Sequence, residues 1–176
     1  MNRRRGSEAS YHARPAFTLV ELVMSLAIMA IFSAIAIPRY ANFLSRQRMQ
    51  SATRRVMSDL SLAARRAKLK GVNQTVAFHV TEDTYNVGDM MDPDRPDQPY
   101  VTRIGEPPYR ATIVSADFGG DANLVFNGYG VPDTNGSIVI QVGHFRQTIP
   151  VTGAAGDGGV VVVDPKALPK PIVMIE

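Results

Sequence analysis

The chain has 176 residues and no cysteine, which leaves room for one domain of ordinary size plus an anchor or tail. Disulfide bonds, thiolate metal sites and cysteine nucleophiles are therefore excluded. The net charge of +3 is unevenly distributed along the chain. Residues 39–70 hold nine bases and one acid, whereas residues 71–176 hold six bases and thirteen acids. We expect the acidic C-terminal part to repel nucleic acid rather than bind it.

The first predicted element is an apolar run of 21 residues, Phe17 to Ile37, preceded by a leader that contains Arg3, Arg4, Arg5 and Arg14. As a helix it spans roughly 30 Å, the thickness of the hydrocarbon core of a bilayer. Its length and its single charged residue disfavour a buried helix of a soluble protein. The run therefore predicts a membrane-spanning helix.

Two simpler interpretations of this run remain open. A conventional secretory signal would use Ala34-Ile35-Ala36 as the cleavage site ahead of Ile37, but the run exceeds the usual core of roughly 7–15 residues and contains Glu21. An uncleaved anchor would place Glu21 in the interfacial layer, where a carboxylate is tolerated. The first residue of the mature chain distinguishes these possibilities.

Glu21 is a candidate functional residue, because a carboxylate in the bilayer core costs about 3 kcal/mol or more and needs a partner. The stretch Ala16-Phe17-Thr18-Leu19-Val20-Glu21, followed by an apolar helix and Pro38-Arg39-Tyr40, resembles the N-terminus of type IV prepilins and type II secretion pseudopilins. The resemblance implies that a prepilin peptidase cleaves between Ala16 and Phe17 and methylates the new amine of Phe17. It also implies that Glu21 pairs with the Phe17 amine of a neighbouring subunit.

One position departs from the family pattern. The family strongly prefers glycine before the cleaved bond, and this chain has Ala16. Because alanine is the smallest alternative, we expect cleavage to proceed. The pairing of Glu21 with an amine is physically reasonable, since opposite charges attract strongly in a medium of low dielectric constant and an unpaired acid is penalised. Such a pair would fix the axial register between subunits.

A second helical segment is predicted after Pro38. Proline lacks the N–H that would bond the carbonyl of Ala34, so we expect a kink there. An apolar stripe then runs to Gly71, a predicted C-terminal cap. The stripe consists of Met49, Ala52, Val56, Leu60, Ala63 and Ala67.

The basic residues of this segment allow two interpretations. They could bind nucleic acid, or they could form a solvated face on which Arg39, Arg46 and Arg48 contact anionic lipid. We favour the second, because the apolar stripe must be covered by the acidic part of the chain. A third possibility is contact with the acidic head of an adjacent subunit.

From residue 74 the apolar period changes to two, which predicts strands. Thr75–Val80 and Thr84–Val87 form a first hairpin through Glu82-Asp83. Residues 88–110 contain five prolines and little periodicity, which indicates a surface insertion with a short strand at Val101–Ile104. Further strands are predicted at Ala111–Ser115, Leu124–Phe126, Ser137–Val142, Phe145–Val151 and Val160–Val163, with Gly143-His144 as a type II′ turn.

The order of elements predicts an α+β fold, in which a long N-terminal helix packs on an antiparallel β-sheet head. Its segments are a leader at 1–16, a transmembrane helix at 17–37, a stem helix at 38–71, a β-rich head at 72–163 and a Pro-rich tail at 164–176.

The end of the stem helix and the head resemble known proteins less closely than the N-terminus does. The stretches "ARRAKLKG", "VAFHV" and "LVFNGYGVPDTNGSIVI" resemble H-type minor pseudopilins and FimT-like minor pilins. Some FimT-like proteins bind DNA through a basic Gly-Arg motif, but the comparable stretch Thr152–Gly158 contains no arginine. The missing arginine weighs against DNA uptake by this protein.

No pattern of catalytic or metal-binding residues is present. Asp92-Pro93-Asp94-Arg95-Pro96-Asp97 groups three carboxylates but lacks the glycine and distal glutamate of an EF-hand loop. The histidines His12, His79 and His144 are far apart in the sequence, and no phosphate-binding loop or nucleophile elbow occurs. We expect no enzyme activity, no cofactor and no metal.

The sequence thus predicts a structural minor pseudopilin of a type II secretion system, with a type IV minor pilin for adhesion, motility or FimT-like DNA uptake as the alternative. As the resemblance implies, it would cross the bacterial inner membrane once, with its head in the periplasm. Its partners would be other pilins or pseudopilins, the prepilin peptidase and a secreted protein cargo, with nucleic acid disfavoured.

Overall fold

In the computed structural model, which describes residues 17–153, 160–162 and 172–173, one α-helix precedes nine β-strands. The helix α1 spans Leu19–Lys70, and all strand pairs are antiparallel, which confirms the predicted α+β class. The chain divides into two compact units, residues 1–40 and 41–176. The strands are β1 (Gln74–His79), β2 (Thr84–Asp92), β3 (Arg95–Arg103), β4 (Thr112–Asp117), β5 (Asn123–Phe126), β6 (Gly136–Val142), β7 (Phe145–Gly153), β8 (Val160–Val162) and β9 (Ile172–Val173).

The apolar stripe of α1 supplies the helical side of the hydrophobic core of the second unit. All six predicted stripe residues are buried, with at most 1% of each exposed. They share one core with residues of both sheets, such as Val76, Leu124, Ile138 and Ile149. The helix ends at Lys70, and Gly71 follows in the left-handed region with φ of +65°, as a C-terminal cap requires.

The strands form two sheets where the sequence predicted one. The first has the order β3-β2-β1-β5, and the second has the order β4-β6-β7-β8, with β9 also pairing β7. The predicted hairpins are present: β1 pairs β2 with Val76 opposite Val87, and β6 pairs β7 around Gly143-His144. Gly143 has φ of +56°, which suits the first central position of a type II′ turn.

The prediction of a largely irregular insertion at residues 88–110 was wrong. Strand β2 continues to Asp92, and β3 begins at Arg95 and contains Pro96 and Pro99. Strand β3 is an edge strand, where a proline need not donate to a neighbouring strand. Its first five residues are exposed, so the sequence carries no alternation between a buried and a solvated face. Strand β9 likewise falls inside the predicted Pro-rich tail.

The loop after β5 lies against the end of α1 and requires glycine at Gly130. This residue has φ of +78°, and a Cβ there would lie 2.8 Å from the carbonyl oxygen of Ala64. Gly130→Ala is expected to lower the free energy of unfolding by about 2–4 kcal/mol, the sum of a left-handed backbone penalty and overpacking. A urea titration of the chain in detergent measures the change.

Gly71→Ala is the matched control for this prediction. Gly71 also has positive φ, but a Cβ there would meet nothing within 4 Å. Its replacement should therefore cost only about 1 kcal/mol, the backbone penalty alone. Equal losses for the two variants would contradict the close approach of the loop to the helix.

Candidate assembly site at the start of the helix

Helix α1 begins at a cap formed by Thr18. The backbone N–H of Glu21 donates to the hydroxyl of Thr18 over 3.2 Å, and the N–H of Leu22 donates to the Thr18 carbonyl over 3.2 Å. Thr-x-x-Glu is the sequence of a capping box, in which the hydroxyl satisfies a donor that the first turn leaves free. Sequence reasoning missed this role of Thr18, although the spacing to Glu21 was a sufficient signal. The cap fixes the first turn, which carries Glu21.

Phe17 lies just before the helix, Glu21 lies within its first turn, and both are exposed. Phe17 is 81% exposed. Within residues 17–153 the ion pairs are Arg55–Asp59, Arg95–Asp92 and Arg103–Glu106, so the structure gives Glu21 no cationic partner there. A carboxylate in this turn is favoured by the helix dipole but is free to bind a cation from outside the described chain. Ala16, the other half of the predicted cleavage site, lies outside the described residues, as does the rest of the leader.

The surface that follows Glu21 is apolar and exposed along the predicted membrane segment. Helix α1 is long and apolar enough to cross a membrane once, which is compatible with single-pass anchoring. The hydroxyls of Ser25 and Ser33 donate to the carbonyls of Glu21 and Met29, each over 2.8 Å. These hydrogen bonds satisfy two hydroxyl groups, which would be costly to leave unpaired in hydrocarbon.

Pro38 lies inside α1, which continues through it as helix. The kink that sequence reasoning assigned to Pro38 stays a prediction. The boundary between membrane and stem segments at residues 37 and 38 also stays a prediction.

A second polar site, buried in the head, ties α1 to β2 and β3. Asp59 is only 4% exposed and pairs with Arg55 over 3.0 Å. Its carboxylate also accepts hydrogen bonds from the hydroxyls of Tyr85, Tyr100 and Thr102, over 2.7, 3.1 and 3.0 Å. The carboxylate therefore joins one helix to two adjacent strands.

Sequence reasoning missed Asp59, although two signals were available. Asp59 is the one acid of residues 39–70 and lies three residues after Val56 and four before Ala63, beside the apolar stripe. Arg55 precedes it by four residues, the spacing of neighbours on a helix surface. An acid in this position predicts burial with a partner.

The electrostatics of this cluster hold its hydroxyls protonated. Burial, together with the neighbouring Asp59 charge, raises the pKa of Tyr85 far above its usual range. The same two causes, burial first, raise the pKa of Tyr100. Burial is the largest influence on Arg55 and disfavours its charge, but the Asp59 carboxylate and the neighbouring tyrosines together outweigh burial and raise the pKa of Arg55. Both tyrosines therefore remain donors to Asp59 at neutral pH.

The acidic cluster at Asp92 and the two histidines of the head show no arrangement typical of a catalytic or metal site. The carboxylate of Asp92 lies 3.1 Å from Arg95, and its pKa is lowered by the backbone N–H of Asp94 and by Arg95. His79 lies 2.9 Å from the Asn86 side-chain oxygen, and His144 is exposed in the β6–β7 turn. Across the described residues, no group of three or more His, Asp or Glu could hold a metal ion.

Comparisons with known proteins extend these observations. The family model described as the prokaryotic N-terminal methylation motif matches residues 12–37, which include Ala16, Phe17 and Glu21. Two proteins of Pseudomonas aeruginosa, both named fimbrial protein, are each 39% identical over 77 residues, which cover 43% of this chain and 49% of the relative. The chain thus spans about half the length of the curated relatives it matches.

A solved structure has the same fold. The type IV minor pilin FimU of Pseudomonas aeruginosa strain PAO1 aligns with a TM-score of 0.50 and 15% identity, over 73% of this chain and 98% of that chain. At this identity the likeness concerns the fold alone. None of the matched proteins is named as an enzyme. With its capped apolar helix and two antiparallel sheets, the chain has a pilin-like fold, and its N-terminus matches the prokaryotic N-terminal methylation motif.

Proposed function

We propose that this chain is a structural subunit of a pilin-type filament and not an enzyme. The observation that carries the proposal is the exposed Glu21 carboxylate in the first turn of an exposed apolar helix, inside the segment that matches the methylation motif. Cleavage between Ala16 and Phe17 would place a methylated amine one helical turn from this carboxylate. The helix anchors the chain in the inner membrane before assembly, and the head lies in the periplasm.

In such a filament, Glu21 fixes the axial register between neighbouring subunits. When apolar helices pack side by side, a carboxylate on one helix is desolvated and is stabilised only where it meets a cation. The described part of the chain gives Glu21 no such cation, whereas the Phe17 amine of a neighbour would. One axial offset between two helices therefore has a lower free energy than the others.

Two kinds of filament fit this role. Type IV pili are favoured by the names of the similar proteins, a fimbrial protein and a type IV minor pilin. A type II secretion pseudopilus, which the stem and head sequences favoured, is the second candidate, with a secreted protein as cargo. Deletion of the gene distinguishes them: loss of surface pili supports the first, and loss of protein export with normal pili supports the second.

The N-terminus of the mature chain tests the proposal directly. In membranes that contain the prepilin peptidase, mass spectrometry should find Phe17 as the first residue, with one added methyl group. Ala16→Gly should increase the cleaved fraction, and Ala16→Leu should block cleavage because a bulky side chain replaces a small one. A mature chain that begins at Met1 or at Ile37 would refute the proposal.

A further inference from the structure

The loop between β5 and β6 holds Tyr129 beside the end of α1. The two glycines that flank this tyrosine both pack closely against the helix end. A Cβ on Gly128 would lie 2.8 Å from the carbonyl oxygen of Gly71. A Cβ on Gly130 would lie at the same distance from the carbonyl oxygen of Ala64. Tyr129 therefore lies between two points at which the loop contacts the end of the helix.

Hydrogen bonds inside the loop fix its conformation. The side-chain oxygen of Asn127 accepts hydrogen bonds from the backbone N–H groups of Tyr129 and Val131, over 3.0 and 3.1 Å. The N–H of Gly130 donates to the carbonyl of Asn127 over 2.7 Å. The side chain of Tyr129 is nevertheless exposed. Because an aromatic residue on a rigid loop loses little conformational entropy on binding, this arrangement favours a role in recognition.

Basic and apolar residues of α1 adjoin Tyr129. A Cβ on Gly130 would lie 3.5 Å from the Cβ of Lys68. Arg65 precedes Lys68 by three residues and Leu69 by four, so these three side chains are neighbours on the helix surface. Leu69 and Tyr129 are 88% and 78% exposed, the highest values for large apolar side chains of residues 41–153. We call Arg65, Lys68, Leu69 and Tyr129 the Tyr129 surface.

The composition of the Tyr129 surface is that of a protein-binding site for an acidic partner. Residues 60–81 contain four bases and no acid. An aromatic and an aliphatic side chain with cations beside them match the centre and the rim of a protein interface. Complementarity requires a partner that carries carboxylates around an apolar group.

The end of the β2–β3 hairpin has this complementary composition. Asp92 pairs with Arg95 over 3.1 Å, whereas Asp94 and Asp97 are exposed. Met91 is 59% exposed, and Asp97 lies between the residues that face Met91 and Asp92 across the hairpin. We call Met91, Asp94 and Asp97 the β2–β3 tip.

Neither surface is neutralised within one copy of the chain. The ion pairs of residues 17–153 include neither cation of the Tyr129 surface and neither carboxylate of the β2–β3 tip. Both sets of charges are therefore available to a second molecule. A methionine sulfur beside an aromatic ring adds a favourable contact, which Met91 and Tyr129 would supply.

We infer that the Tyr129 surface of one copy binds the β2–β3 tip of a second copy. Two different surfaces meet in this contact, so each copy keeps one free surface of each kind and further copies add in series. The inference rests on the proposed function and deepens it, because it names the contact between the heads of neighbouring subunits. It concerns the head alone and is separate from the pairing of Glu21.

Cross-linking of two differently tagged full chains in one vesicle tests the contact. The chain has no cysteine, so each copy receives one. Val72→Cys places it beside the Tyr129 surface, directly after Gly71, and Gln98→Cys places it directly after Asp97. A short bismaleimide should join the two chains into a product that carries both tags.

Reversal of the charges shows whether they drive the contact. Arg65→Glu combined with Lys68→Glu should lower the yield of this product about tenfold, because like charges then face each other. Asp94→Lys with Asp97→Lys on the other copy should restore most of the yield, which a folding defect would not allow. Arg54→Glu is the control, since Arg54 is exposed on the same helix roughly 16 Å from Arg65, and should change the yield less than about twofold.

Removal of the aromatic ring tests the apolar part of the contact. Tyr129→Ser keeps all charges and the two flanking glycines, and should lower the yield about fivefold or more, as loss of a central aromatic residue does. An unchanged yield for Tyr129→Ser would overturn the role of the ring. A loss with Arg54→Glu as large as with the double reversal would overturn the placement of the contact.

The remaining outcomes separate this inference from the proposed function. Products that join two copies through position 72 alone would indicate a symmetric dimer and overturn the contact with the β2–β3 tip. If no product forms but the chain is incorporated into filaments in cells, the inference fails and the proposed function stands. If the product forms but the chain is absent from filaments, the proposed function fails and the contact between heads stands.

Discussion

Glu21→Ala should reduce incorporation of this chain into filaments at least tenfold and leave cleavage before Phe17 unchanged. The carboxylate is exposed at the start of an apolar helix, so its removal costs the isolated subunit little. In a filament, however, the neighbouring amine would be left desolvated without a partner. Breaking a buried ion pair in this way costs about 3–5 kcal/mol. Quantitative immunoblotting of purified filaments and of the membrane fraction measures the change.

Three matched variants separate charge from helix capping. Glu21→Asp keeps the charge and should restore much of the incorporation, whereas Glu21→Gln keeps the size and should not. Thr18→Ala removes the hydroxyl that caps the first turn but keeps the carboxylate, and should cost only about 1 kcal/mol of helix stability. If Thr18→Ala reduces assembly as much as Glu21→Ala does, capping rather than pairing explains Glu21. Normal assembly of Glu21→Ala would remove its role entirely.

The sequence predicted those parts of the fold that depend on local periodicity. The stripe from Met49 to Ala67 and the β1–β2 and β6–β7 hairpins follow from spacings of three or four and of two. The methylation motif was recognisable for a similar reason, since its chemistry lies in consecutive residues. The Thr18 cap is equally local, since the Thr-x-x-Glu pattern lies within four consecutive residues.

The rest of the fold depends on pairings that are distant in the sequence. Strand β3 contains prolines that argue against a strand, but it lies at the edge of a sheet, where they are tolerated. The division into two sheets is set by β4 pairing β6 instead of a strand of the first sheet. The role of Asp59 could not be predicted without the tertiary structure, because its hydroxyl donors Tyr85, Tyr100 and Thr102 come from two strands that are distant in the sequence.

Asp59→Ala is expected to lower the free energy of unfolding of the head by about 3–5 kcal/mol. It removes the charge that pairs with Arg55 and the acceptor of three hydroxyl groups, two of them on the buried residues Tyr85 and Thr102. Donors left buried without an acceptor each cost about 1–3 kcal/mol, while the partly exposed Arg55 recovers some solvation. A urea titration of the chain in detergent, followed by tyrosine fluorescence, measures the loss.

Two further variants show which part of the cluster carries this stability. Asp59→Asn keeps one oxygen at the position where Arg55, Tyr85 and Thr102 converge, so its cost should fall between those of the wild type and Asp59→Ala. Asp97→Ala, on the exposed part of β3, should change stability by no more than about 0.5 kcal/mol. A loss for Asp59→Ala within 1 kcal/mol of that for Asp97→Ala would contradict the structural role of Asp59.

The position of Asp59 also predicts where the head opens first. Because the carboxylate links α1 to β2 and β3 and contacts neither β6 nor β7, hydrogen exchange in Asp59→Ala should accelerate most in β2 and β3. The β6–β7 hairpin keeps its cation–π contact to α1 through Arg46 and Phe145 and should exchange more slowly. Equal acceleration in both sheets would mean that the head opens as one cooperative unit and that Asp59 stabilises all of it.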